Sequence, residues 1–119
     1  MGKKSKRRYC FGQIDGHKIR IILVPGEEGS IETYEDGSVP LCSIGRDHAW
    51  PGVVAVLTHE LFEFTTMCRH LRYHPLDGPD RTLDGIRLIM THEEFALCAE
   101  LTGVCLAGVW DAVMEMWDG

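Results

Sequence analysis

The sequence predicts an α+β domain: a small antiparallel or mixed β-sheet, made of two hairpins plus one strand, packed with two amphipathic helices. Three observations carry this. Asp-Gly pairs at Asp15-Gly16 and Asp36-Gly37 each sit between strand-like runs. An apolar stretch of helical period follows Trp50-Pro51. A second such stretch follows Thr91.

Each element has a local reason. Asp15-Gly16 joins residues 9–14 to 17–24, and Asp36-Gly37 joins 30–35 to 38–44; Asp-Gly between such runs is among the stronger hairpin signals. The alternation His17-Lys18-Ile19-Arg20-Ile21 suits a half-exposed strand. Pro25-Gly26 and Gly29 mark the connection between the hairpins. Pro51 is well tolerated in a first helical turn, and the helix is expected over 51–73. Val53, Leu57, Leu61, Phe64, Cys68 and Leu71 form its apolar stripe. Residues 74–84 carry Pro, Gly and Asp and predict an exposed loop; 85–90 predicts a short strand. Thr91 with Glu94 forms a capping box for the second helix. Phe95, Cys98, Leu101, Cys105, Val109, Ala112 and Met116 line its apolar side, with Gly103 and Gly108 available for close packing.

With 119 residues, the chain suffices for one domain with a real core, expected over 9–119 after a basic flexible tail at 1–8. Net charge is −6, but Lys3, Lys4, Lys6, Arg7 and Arg8 hold five of the 12 basic residues. The remainder is strongly acidic. Nucleic acid is therefore an unlikely partner except through the basic tail, and a protein or peptide partner or substrate is expected. No stretch approaches the roughly 20 apolar residues of a membrane span, and no signal-peptide segment follows the start; no membrane is expected and the expected compartment is cytoplasmic. Five cysteines without a C-x-x-C pair argue against a disulfide framework or a zinc finger. Most fall within apolar patterns and read as small buried hydrophobes.

The chemistry concentrates in His59-Glu60-Leu61-Phe62-Glu63, an H-E-x-x-E run inside the first helix. At 100° per residue from Leu57, the apolar stripe falls within about 40°. His59 and Glu63 project at about 200° and 240°, one turn apart and opposite that stripe, so they can converge on one ion. Glu60 lies between the two faces. His70 and His74 share the His59 side of the projection. His70, however, would stand about 16 Å from His59 along a helix axis, too far for the same ion. Their expected role is solvation and complementing the helix C-terminus. A catalytic zinc needs a third protein ligand. His92 is preferred, because the strand 85–90 would end near the first helix; His48, Glu93, Glu94 and Glu100 are the other candidates.

A sheet followed by an H-E-x-x helix and a further ligand resembles a minimal zincin metallopeptidase. The resemblance implies that His59 is a zinc ligand and Glu60 the general base that activates water. Glu63 stands where that family has its second motif histidine; an added carboxylate lowers the charge available to acidify water. Size and layout also resemble small accessory proteins of bacteriophages and prophages. Two functions follow as expectations. One is a zincin-like metal-binding protein, with zinc on His59, Glu63 and His92, Glu60 as base, and an amide or peptide bond as substrate. In that reading the strand 38–44 presents the substrate at an open sheet edge. The other is a non-enzymatic, phage-type accessory protein that binds another protein through its acidic surface.

Overall fold

The first hairpin forms where Asp15-Gly16 puts it. In the computed structural model, which describes residues 7–73, 87–88 and 90–118, β1 (Cys10–Ile14) and β2 (His17–Val24) pair antiparallel, with Ile14 opposite His17. Asp15 and Gly16 take φ of 50° and 81°, the positive angles that a two-residue turn needs to match strand twist. The basic residues at 3, 4 and 6 lie outside the described residues.

The second hairpin is looser. β3 (Gly29–Glu32) and β4 (Leu41–Gly45) pair antiparallel, but both are shorter than the sequence suggests. Asp36 accepts bonds from the Ser38 N–H (2.9 Å) and hydroxyl (2.6 Å). These bonds hold its carboxyl below the usual range. Side-chain bonding of this kind competes with a strand ladder.

β4 inserts between β2 and β3, pairing parallel with β2, so the sheet is mixed with order β1-β2-β4-β3. This corrects the expectation that 38–44 supplies an open edge. Cys42 and Ile44 are fully buried, as suits a strand with a neighbour on each side; the edge beside it is β3. The inner sheet face presents Cys10, Ile14, Ile19, Ile21, Cys42 and Ile44 to the helices. On the other face Phe11, Gln13, Lys18 and Arg20 are exposed.

α1 (Trp50–Cys68) buries Val53, Leu57, Leu61 and Phe64 against this core. It ends five residues before the expected position 73. His70 takes a left-handed φ of 57°, while the Leu71 N–H donates to the Thr66 carbonyl (2.9 Å) and the His70 N–H to the Met67 carbonyl (3.1 Å). This is the Schellman pattern that closes a helix. His70 is thus a cap residue beyond the helix. His74 and the loop expected over 74–84 lie outside the described residues.

The strand expected over 85–90 does not extend the main sheet. β6 (Arg87–Leu88) pairs antiparallel with β5 (Arg72–Tyr73) in a separate two-stranded ladder. α2 (His92–Asp118) then starts at the predicted capping box: the Glu94 N–H donates to the Thr91 hydroxyl (3.1 Å) and the Thr91 N–H to the Glu94 carboxylate (3.0 Å). Its buried line is Cys98, Thr102, Cys105, Val109, Val113 and Met116. Phe95, expected inside, is 51% exposed and packs against Phe62 (ring centroids 5.8 Å). Gly103 and Gly108 face open space, so neither serves close packing. The glycine that does is Gly12, where a Cβ would meet Cys105 Sγ at 2.7 Å. By length and composition alone α2 is apolar enough to cross a membrane, with a mean hydropathy of 1.5 over its most apolar window. Its buried line packs on β1 and α1.

The helices meet through buried Thr65 and Thr102, whose hydroxyls are 3.0 Å apart. Thr65 donates to the Leu61 carbonyl (2.8 Å), which leaves Thr102 as donor to Thr65. At the other end Trp50 packs against Trp110 and Trp117, and the Trp117 indole N–H donates to the His48 carbonyl (3.1 Å).

Candidate metal centre

α1 carries His59, Glu60 and Glu63 to the side flanked by β3. His59 Nε2 lies 3.4 Å from Glu63 Oε1, the approach that i, i+4 spacing on a helix allows. One ligand atom from each of His59, Glu60 and Glu63 falls within 4.8 Å of the others. Two zinc ligands at 2.0–2.1 Å and near-tetrahedral angles stand about 3.4 Å apart. The His59–Glu63 separation therefore matches that of two ligands on one small divalent ion, and nitrogen plus carboxylate donors are of a type that zinc accepts.

The three side chains differ sharply in environment. His59 and Glu63 are 66% and 43% exposed as side chains. Glu60 is 6% exposed. Its projection, about 60° from Leu57, sets it beside the core stripe, and β3 closes over it. A Cβ on Gly29 would meet Glu60 Cγ and Val56 Cγ1 at 2.7 Å. Only glycine lets the strand lie this close to the helix. The Glu60 charge also acts on Cys42, whose thiol is pushed well up, first by burial and then by that carboxylate.

Beside the cluster opens a cleft of about 470 Å³. His59, Glu60, Val56 and Ala55 form its helical wall, and Glu27, Glu28 and Gly29 the opposite one. That opposite wall is held from behind. The His48 ring N–H at Nε2 donates to the Glu27 carbonyl (2.7 Å), the Asp47 carboxylate accepts from the Gly26 N–H (2.6 Å), and the Asp47 N–H donates to the Gly26 carbonyl (2.9 Å). Gly45 lets the segment cross, since a Cβ there would strike Gly26 O at 2.5 Å. His48, a candidate third ligand, is thus occupied as a strut.

The Gly45 N–H donates to the Glu28 carbonyl (2.8 Å). Bonding alternates along an antiparallel pair, so Ser30 and Glu32 also face β4. Gly29 and Ile31 turn their N–H and C=O away from β4, along the sheet edge above the cleft.

The structure brings together His59, Glu60 and Glu63 and leaves His92 out of the cluster; His92 is exposed in the first turn of α2, as is Glu93, and Glu100 is exposed further along the helix. Glu94 is committed to the cap. Cys68 does not offer an alternative nucleophile, because burial raises its thiol, with Asp15 adding to the effect. Sequence reasoning missed Glu27, Glu28 and Gly29. The available signal was the pair of glutamates next to a glycine at a strand start. Compared with protein-family models, with curated proteins and with solved structures, the chain matches none.

Proposed function

We propose that the protein is a metal-binding protein of zincin-like design that hydrolyses an amide or peptide bond. The observation that carries this reading is the His59–Glu60–Glu63 cluster at the mouth of a cleft bordered by the edge strand β3. His59 and Glu63 would hold a divalent ion, zinc by donor type, and the ion when bound would polarise a carbonyl and acidify water. Glu60 would accept the proton at its carboxylate. Its burial under Gly29 favours this role, because the packed strand holds the carboxylate in one position beside the cluster.

An extended peptide would add to β3 through the backbone groups of Gly29 and Ile31, replacing the role first assigned to 38–44. That register would set a carbonyl across the cleft from Glu60. His92 would not join the ion directly, so the cluster would supply two protein ligands, one fewer than a catalytic zinc ordinarily has, and water and substrate would fill the remaining positions.

The test is hydrolysis of a mixed peptide library by zinc-loaded protein. Glu60→Gln is expected to keep zinc and lose about 10²–10⁴-fold in rate. Full activity in Glu60→Gln would refute the base assignment. A folded wild-type protein that binds zinc but cleaves no peptide would leave a metal-binding protein without this activity. If it bound no metal, the non-enzymatic partner-binding reading would replace it.

A further inference from the structure

The exposed large apolar side chains fall into two sets. Phe95, Val104 and Met114 lie along α2, while Tyr9, Phe11 and Tyr34 lie on the strands and their connections. The second set is interleaved with cations. Tyr9 and Phe11 share one side of β1 with ring centroids 5.4 Å apart. Arg20 is register partner to Phe11, and Lys18 partners Gln13, so both cations rise on that same face. Lys18 Nζ stands 4.1 Å from the Phe11 ring centroid and Arg20 Cζ 6.0 Å from that of Tyr9. Arg20 is also near enough to Tyr34 for its charge to act on the phenol, whose hydroxyl donates to Glu32 (3.2 Å). Arg8 is exposed beside Tyr9, and Arg7 pairs with Glu115 (3.2 Å).

Both helices pack on the opposite face of the sheet, so no described element covers this one. The chain's cations are also concentrated early in the sequence. Seven of the 12 Lys and Arg residues are Lys3, Lys4, Lys6, Arg7, Arg8, Lys18 and Arg20, all before position 21, although the whole chain is −6.

We propose that this outer sheet face binds single-stranded nucleic acid, with bases stacking on Tyr9, Phe11 and Tyr34 and phosphates meeting Lys18 and Arg20. Aromatic rings interleaved with cations on an open sheet match the two requirements of a single strand, a π-face for each base and a positive track for its backbone. Duplex DNA is disfavoured, because the face is flat and has no helix or ribbon to enter a groove. An acidic peptide would use the cations but not the rings. An exposed cation–π contact is weaker than base–aromatic stacking, so an incoming base displaces Lys18 from Phe11 and frees its ammonium for phosphate. The proposal is independent of the metal centre.

The test is fluorescence anisotropy of the full chain with a labelled oligothymidylate of about 12 nucleotides, and with a duplex of equal length. The single strand should bind more tightly. The double variant Lys18→Gln/Arg20→Gln should weaken binding and lower the magnitude of its log–log salt slope by about 1.4, at about 0.7 per phosphate contact. Tyr9→Ala and Phe11→Ala should each weaken it by about 5-fold or more. Phe11→Leu, which keeps apolar volume without an aromatic face, should behave like Phe11→Ala and guards against a folding effect. His59→Ala should bind like wild type. Equal affinity for duplex would overturn the proposal, as would affinity unchanged in the aromatic variants, which would leave only the charge of the N-terminal residues. So would preference for anionic vesicles or an acidic peptide, or no binding at all.

Discussion

Glu60 joins core and site in one side chain. It is buried beside the apolar stripe yet contributes to the His59–Glu63 cluster, and Gly29 makes this possible by leaving no Cβ between strand and helix. Gly29→Ala should push Glu60 and Val56 aside and destabilise the fold by about 1–3 kcal/mol, as read by urea unfolding. A variant as stable as wild type would show that the contact is not restrictive. The His59–Glu63 pair was legible from the sequence, because helical spacing alone sets it. The burial of Glu60 was not, since it depends on a strand 31 positions earlier in the chain. The third-ligand expectation for His92 failed to join the cluster for the same reason: nothing local fixes how the start of α2 lies relative to α1.

Among the elements, those defined by short-range chemistry were legible and those defined by pairing were not. The Asp15-Gly16 turn and the Thr91–Glu94 capping box follow from local bonding and formed as expected. Thr91→Ala removes the hydroxyl that accepts the Glu94 N–H and should cost about 1 kcal/mol of stability, measured from the urea midpoint. Unchanged stability would mean that water satisfies the helix end equally well. α1 stopped early because His70 occupies the left-handed position where glycine usually announces a helix end; histidine enters that region more readily than most residues but is a weaker marker than glycine. The place of β4 between β2 and β3 had no local marker either, because a parallel pair has no turn to declare it. That insertion moved the open edge from 38–44 to β3 and so moved the peptide-binding proposal with it.

At the scale of the whole molecule, one core spans the inner sheet face and both helices, and it holds neutral thiols. Burial raises the Cys10 thiol from 9.0 to about 11, with Arg7 opposing and Cys105 adding to the shift. The unfolded chain loses that proton near pH 9 while the folded chain keeps it to about 11, so the folded state binds more protons in between. Stability should therefore be unaffected by Cys10 below about pH 9 and fall as pH rises from 9 to 11. Urea midpoints across that window should decline less steeply for Cys10→Ala; an equal decline would assign the effect to other groups. The fold class was legible because binary patterning sets it, whereas the placing of Lys18 and Arg20 beside Phe11 and Tyr9, and of Glu27, Glu28 and Glu60 around one cleft, required the register. His59 and Glu63 are proposed to hold a metal ion beside Glu60, and calorimetric titration of zinc into chelator-stripped protein tests this most directly. One ion per chain is predicted, with uptake abolished in His59→Ala and stability raised by about 2.7 kcal/mol at a zinc concentration 100 times Kd. Absence of zinc uptake by the folded protein, or uptake undiminished in His59→Ala, would contradict it.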